Sequence, residues 1–376
     1  MRIGIDFLYA QQGTTQGYDS SLRNLLSGLD TVSGEHEIIV FCNTPYYREN
    51  KSKFYNLQLV DCRGQWQNRF QRAVWMSIFL PGLIRRFGMD GMYFPTHFRP
   101  LMDLGRVWTV FNLYDLQYRY IPSSFGHLQL LVRDYFYRLS LTKCNRSICI
   151  SEYVKNTVRE QFPSLQADRL IVIPIPITFD DESDFLTEQS RSVSAFRPYI
   201  LTIGKHFPHK NFETLLRAFA ILIRKTEYPG TLIIGGSFTS HTSFLRELAA
   251  ELEIADRVHF MGYVSNAVRE SLYRSADVFV FPSLYEGFGM PVVEAMGRQI
   301  PVVCSDTTAL PEVTLGLATY YSQATDAEAL AQAIIKILQQ PPTQERLQEI
   351  SNQVRQCYNP VTISRQYLAL WESLGR

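Results

Sequence analysis

The run Val278-Phe279-Val280-Phe281-Pro282-Ser283-Leu284-Tyr285-Glu286-Gly287-Phe288-Gly289-Met290-Pro291-Val292-Val293-Glu294-Ala295-Met296 decides the fold. Its first four residues are a short, uninterrupted apolar segment, as expected of a strand buried on both faces of a parallel sheet. Gly287 and Gly289 let backbone approach a ligand closely, and Pro291 suits the first turn of a helix whose N–H groups can receive a phosphate. Glu286 lies in the loop and Glu294 about one turn into the helix. A carboxylate repels a phosphate and is useful beside one only where it accepts hydrogen bonds from hydroxyls. Phosphate and hydroxyls together describe a sugar nucleotide. The simpler reading is a tight strand-to-helix turn with two surface glutamates, but glycines, proline and carboxylates converging at one strand end favour the ligand.

Around this stretch, β-rich runs alternate with helical patterns, the mark of parallel sheets with crossover helices. One series comprises Arg2–Leu8, Glu37–Phe41, Leu57–Val60, Gly91–Phe94, Val107–Asn112, Ser147–Ile150 and Leu170–Ile173, with amphipathic stretches near 19–30, 67–87, 125–143 and 151–162. A second comprises Tyr199–Ile203, Thr231–Ile234, Val258–Phe260, Val278–Phe281 and Pro301–Cys304. The acidic run from Asp180 to Asp184 separates the two and reads as a linker. The expected architecture is α/β: a Rossmann-like domain over 1–185, a second over 186–360, and a final helix over 361–376 packing back on the first. Two doubly wound sheets of this kind would face each other across a cleft and bind ligands at their carboxyl ends.

The strand Tyr199–Ile203 leads into Gly204-Lys205-His206-Phe207-Pro208-His209-Lys210-Asn211. A glycine turn there brings two lysines and the next helix start to the same edge, where Lys205 and Lys210 can neutralise a diphosphate without a metal ion. Asn211 is placed to cap that helix. Taken alone, two solvated lysines explain the segment equally well.

Together these residues resemble glycosyltransferase family 4, the retaining enzymes of GT-B fold, over almost the whole chain. The resemblance rests on the Gly17 loop, Gly204 to Asn211, LIIGG, Asp256 to Val264, SLYRSADVFVFPSLYEGFGMPVVEAM and PVVCSDTTALPEV. The pair Glu286 and Glu294, with seven residues between, is its most specific mark. It implies that Glu286 accepts bonds from donor-sugar hydroxyls beside Gly287, Phe288, Gly289 and Met290. It further implies that Glu294 holds the ribose, that Lys205 and Lys210 next to Gly204 stabilise the departing diphosphate, and that Met261, Gly262 and Tyr263 border the base. Gly17 would approach the diphosphate from the other domain. No cofactor or metal ion is implied, the nucleotide sugar being a substrate. Negative charge grows on the diphosphate as the glycosidic bond lengthens, so lysines at that edge favour the transition state over the bound ground state. Either front-face transfer or double displacement fits retention.

The sequence departs from the family at several positions. Tyr114 stands where relatives carry histidine, leaving Tyr114 and Asp115 as sugar or acceptor contacts or as ordinary loop residues. His97 is an alternative histidine for that edge, although a satisfied structural histidine is the simpler reading. His209 replaces a common arginine, Ile300 a glycine, and TLGLATYY a GDA run.

With 376 residues, 46% apolar and 19% charged, the chain can bury a large core and lacks the signature of disorder. Its 37 basic and 36 acidic side chains nearly cancel, which argues against a general nucleic-acid binder. Residues 1–179, however, hold 20 basic and 14 acidic groups (+6) and residues 180–376 hold 17 and 22 (−5), so the first half suits anionic partners. The six cysteines form no CxxC pair and read as reduced core thiols. No stretch approaches a membrane span. Gln67–Phe87 and Tyr118–Arg138 are rich in aromatics and arginine. Each alone reads as a helix packed on its sheet, yet basic helices with apolar faces can also lie on an anionic membrane. The expectation is a cytoplasmic hexosyltransferase, peripheral on the inner membrane face, that moves sugar from GDP-mannose or a UDP-sugar to a glycan or lipid-linked acceptor in lipopolysaccharide or other polysaccharide synthesis. The alternatives are a non-catalytic nucleotide-binding subunit of a glycan-assembly complex, motivated by Tyr114, and a GT-B nucleotide-sugar epimerase.

Overall fold

A computed structural model describes residues 1–10, 17–66, 69–96, 99–122, 126–179 and 193–375. The acidic run 180–184 and His97 lie outside these residues. The chain forms two compact units, Met1–Thr178 with Cys357–Arg376, and Phe179–Gln356. The division at Thr178 falls ahead of the acidic run, rather than at 185.

The first unit contains β1 (Arg2–Phe7), α1 (Gly17–Val32), β2 (Glu37–Cys42), α2 (Thr44–Asn50), β3 (Leu57–Asp61), α3 (Arg69–Ile78), α4 (Leu80–Phe87), β4 (Gly91–Phe94), β5 (Trp108–Leu113), α5 (Gln117–Tyr120), α6 (His127–Lys143), β6 (Arg146–Cys149), α7 (Glu152–Gln161) and β7 (Leu170–Val172). All strands are parallel, in the order β3-β2-β1-β4-β5-β6-β7. Strand order reverses between β1 and β4, the place where doubly wound sheets open a crevice at their carboxyl ends. The amphipathic stretch near 67–87 is two helices rather than one. Pro81 lacks the N–H an uninterrupted helix would need, and fits the first turn of α4.

The second unit repeats the plan with β8 (Tyr199–Ile203), α8 (Phe212–Thr226), β9 (Thr231–Gly235), α9 (Thr242–Glu251), β10 (Val258–Gly262), α10 (Asn266–Ser275), β11 (Val278–Phe281), α11 (Met290–Met296), β12 (Val302–Ser305), α12 (Leu310–Val313), β13 (Thr319–Tyr321), α13 (Ala327–Gln339) and α14 (Gln344–Tyr358). Its parallel order is β10-β9-β8-β11-β12-β13. The three-residue β13, inside TLGLATYY, has too little pattern to be read from sequence and exists because it pairs with β12. Buried strand residues and the inner faces of α8, α9 and α13 make the core.

The last helix, α15 (Pro360–Gly375), packs on α1 in the first unit and buries Ile363, Tyr367 and Trp371. The Tyr367 hydroxyl donates to Asn112 Oδ1 at 3.1 Å on β5. Five cysteines are buried and Cys357 is half-buried, all free thiols. No helix among the described residues is long and apolar enough to cross a membrane.

Candidate active site

The second unit's reversal point lies between β8 and β11, so the segments leaving those strands meet although they are far apart in the chain. Lys210, after β8, places Nζ 2.5 Å from Glu286 Oε1, after β11. The two side chains are 17% and 13% exposed, and the Lys210 ammonium also lies 5.4 Å from the Phe281 ring centroid. The backbone around the pair is clamped. Leu284 N–H donates to the His209 carbonyl at 2.8 Å, Glu286 N–H to Thr308 Oγ1 at 3.2 Å, and Ser305 Oγ to the Ser283 carbonyl at 2.6 Å. These hydroxyls stand at the end of β12 and in the loop that leaves it, and three hydroxyl residues in SDTT are their only sign in the sequence.

Asn211 does not cap α8 with its side chain. Its backbone is left-handed at φ +58°, and Nδ2 instead donates to the carbonyls of Pro282 and Ala324 at 3.0 and 2.6 Å. It therefore ties the start of α8 to the end of β11. Lys205 is exposed.

Glycine makes the strand ends possible. Gly204 N–H donates to the Gly235 carbonyl and Gly236 N–H to the Gly262 carbonyl, both at 2.8 Å. Gly236 sits at φ +130°, where an added Cβ would lie 2.0 Å from the Gly204 oxygen. On the neighbouring loop Gly289, at φ +104°, turns the chain into α11 against Leu310. A register shift between Phe260 and Gly262 leaves Met261 in a bulge at the end of β10, and Tyr263 follows it into solvent.

Glu294 is buried. The Tyr273 hydroxyl donates to its Oε2 at 2.9 Å, and Arg269 Nη1 stands 4.0 Å from Oε1. The Glu294 charge raises the Arg269 pKa, and Tyr263 adds a smaller push in the same direction. In the sequence both Arg269 and Tyr273 look like ordinary helix residues, with no signal that marks them for this site.

In the first unit Tyr114 and Asp115 follow β5, and Gly17 begins α1. The Tyr114 ring packs edge-on to Tyr18 at 6.0 Å. Burial, with a smaller push from Tyr367, holds its phenol protonated, and Ser21 and Asn112 bond to it. Asp115 Oδ1 accepts from Gln117 N–H at 2.9 Å and so starts α5.

Residues 187–354 match the family model described as Glycosyl transferases group 1, and residues 17–181 match Glycosyltransferase Family 4. This chain belongs to glycosyltransferase family 4. It is 31% identical over 204 residues to the O-antigen chain mannosyltransferase B of Escherichia coli, spanning 53% of this chain and 53% of that one, about half the relative's length. It is 28% identical over 270 residues to the O-antigen chain mannosyltransferase RfbU of Salmonella typhimurium, spanning 72% and 70%. The crystal structure of Anabaena HepE in complex with UDP and glucose aligns over 99% of this chain and 100% of that one, with TM-score 0.74 at 17% identity, which shows the shared GT-B fold.

Two histidines of the β8 exit loop are held neutral. Burial, reinforced by Lys210 and opposed by Glu286, takes His209 from its ordinary 6.5 to about 4. His206 falls to about 4 through burial, then Arg246 and His241; its Nδ1 lies 3.1 Å from Thr242 Oγ1 and its Nε2 has no partner among the described residues. The unfolded chain takes up these protons below about 6.5 while the folded chain does not, so stability is lost as pH falls from 6.5 towards 4. Urea midpoints followed through that range should fall steadily for the wild type and less for His206→Gln. Equal slopes would contradict the buried neutral imidazole.

Proposed function

We propose that this glycosyltransferase moves a hexose, with retained configuration, from a nucleoside-diphosphate sugar to a glycan or lipid-linked acceptor in cell-surface polysaccharide synthesis. The observation that carries the reading is the Lys210–Glu286 pair at the strand-order reversal of the second unit. In the donor complex sugar hydroxyls would donate to Glu286 while Lys210 and the exposed Lys205 turn to the diphosphate. Glu294, already steadied by Tyr273, would take the two ribose hydroxyls, with Arg269 balancing its charge. Met261, Gly262 and Tyr263 would border the base, Gly17 would approach the diphosphate from the first unit, and Tyr114 and Asp115 would contact sugar or acceptor. Both lysines would gain strength as the leaving diphosphate acquires charge, so the mechanism calls for no metal ion. GDP-mannose is the first donor to try, because two relatives are named mannosyltransferases, and UDP-glucose the second. The reaction would take place on the cytoplasmic side of the membrane, where nucleotide sugars are available.

Thermal shifts with GDP, UDP and dTDP test the donor class. A ligand at a hundred times its Kd adds about 2.7 kcal/mol to the native state, so the cognate diphosphate should raise the melting midpoint of the wild type clearly above the others. No shift with any of them would refute the nucleotide-sugar reading. Radiolabelled donor offered with and without acceptor then separates transfer from the epimerase alternative, which converts donor alone, and from a non-catalytic subunit, which binds without turnover.

A further inference from the structure

Helix α6 carries apolar side chains on its outer side as well as its inner one. A surface helix ordinarily turns its apolar stripe to the core and its polar side to water. Here the residues that pack inward are Tyr137, Ser140 and Leu141. Leu128, Leu131, Val132 and Tyr135, at positions i, i+3, i+4 and i+7, form a stripe that faces solvent, Leu128 and Leu131 being 75% and 70% exposed.

The stripe has neighbours of the same kind. Right-handed crossovers place helices on one sheet face when the chain moves one way along the sheet and on the other when it moves back. The steps β1 to β2 to β3 run one way, and β3 to β4 and β5 to β6 run the other. Helices α3, α4 and α6 therefore share the face opposite α1, which α15 covers. At the end of α3, Ile78 and Phe79 are exposed, as are Leu101 and Met102. Leu101 N–H donates to Ser77 Oγ of α3 at 3.3 Å, and Arg99 Nη1 reaches Cys144 Sγ, just past the C-terminal end of α6, at 3.9 Å, so this segment links the ends of the two helices.

Its charge is mainly positive, although Asp103 is exposed beside Met102 and Glu160 is exposed beside Tyr120. The sequences of α3 and α4 contain no acidic residue, and Arg85 and Arg86 are exposed on α4. The single acid of α6, Asp134, is neutralised by Arg119 and by Arg138 at 2.6 Å, and Lys143 is exposed at the helix end. Exposed apolar side chains on a helix, bordered by cations, fit the boundary between acyl chains and anionic headgroups.

We propose that the α6 stripe, with the exposed side chains of α3 and α4 on the same sheet face, docks this glycosyltransferase on an anionic phospholipid bilayer. The proposal draws on the lipid-linked acceptor reading only for its purpose, because vesicle binding is measured without donor, acceptor or turnover. The whole protein is sedimented with phosphatidylglycerol vesicles and, separately, with phosphatidylcholine vesicles. The wild type should bind the anionic vesicles strongly and the zwitterionic ones weakly. Leu128→Ser/Leu131→Ser changes two solvent-exposed side chains, so it should keep the wild-type melting midpoint and its nucleotide thermal shift while binding at least about tenfold more weakly. Arg85→Gln/Arg86→Gln should lose most of the preference for phosphatidylglycerol. The proposal is overturned if the wild type fails to sediment with phosphatidylglycerol, or if the leucine variant binds as well as the wild type. It is also overturned if the leucines hold a dimer in solution that the variant dissociates, which would make a second copy of this chain the occupant. Vesicle binding without sugar transfer would leave this docking surface standing and defeat only the functional reading.

Discussion

Lys210→Ala is expected to lower kcat for sugar transfer by about two to three orders of magnitude, the usual cost of removing one preorganised group from a developing negative charge. The side chain starts 2.5 Å from Glu286 and is largely withdrawn from water, so its charge acts at close range and with little screening. In the ground state it already has an anionic partner. Its gain comes as the glycosidic bond lengthens and the diphosphate becomes the stronger anion, so the loss should appear in kcat more than in KM. Lys205→Ala should cost much less, because that ammonium is exposed and screened. Glu286→Gln should also be severely impaired, and the double variant should be far less damaged than the product of the single losses if the two residues act as one unit. Steady-state kinetics with the donor picked out by thermal shift gives these numbers. Wild-type kcat in Lys210→Ala would remove this residue from the chemistry, provided the variant melts as a folded protein.

The largest expected effect on stability lies at Gly236. Gly236→Ala should destabilise the second unit by about 2–5 kcal/mol, through an unfavourable backbone conformation and an overlap that side-chain motion cannot relieve. The added Cβ would meet the Gly204 backbone oxygen at 2.0 Å. Neither partner can withdraw cheaply, since Gly204 is bonded to Gly235 and Gly236 to Gly262. The contrasting position is Gly82, inside α4, where a Cβ would meet nothing within 4 Å. Gly82→Ala should therefore be neutral or stabilising by about 0.5–1 kcal/mol, as alanine restricts the unfolded chain and suits a helix. Urea denaturation followed by far-UV circular dichroism compares the two. Equal midpoints would show that the strand ends yield more easily than their hydrogen bonds imply. A folded remnant of Gly236→Ala should also lose its nucleotide thermal shift, because the displaced loop carries Lys205 and Lys210.

Much of the fold is legible because parallel strands buried on both faces are written as unbroken apolar runs. Gly91–Phe94, Tyr199–Ile203 and Val278–Phe281 are read from sequence at their observed limits. Where the local signal weakens, so does the reading. Strand β13 is three residues long and held by its neighbour. Helices α3 and α4 read as one stretch because the apolar pattern continues across Pro81. Asn211 has the right residue type for a helix cap, but its amide is claimed by two carbonyls distant in sequence. Competition of that kind leaves no local trace.

Local residue patterns specify the building plan: two α/β units of parallel strands, glycines where backbones crowd, and a set of lysines and glutamates stationed after strands. Strand order was decided only in three dimensions. Because β8 lies beside β11, a lysine and a glutamate 76 residues apart become a 2.5 Å ion pair. Because α10 packs beside α11, Glu294 acquires Tyr273 and Arg269. The orientation of α6 was settled in the same way: its composition is that of a mixed helix, and which side reached the sheet depended on where Tyr137 and Leu141 found cover. Short-range propensities choose elements one segment at a time. Pairings between segments depend on the energy of the whole packed unit, and the chemistry of this site resides in those pairings.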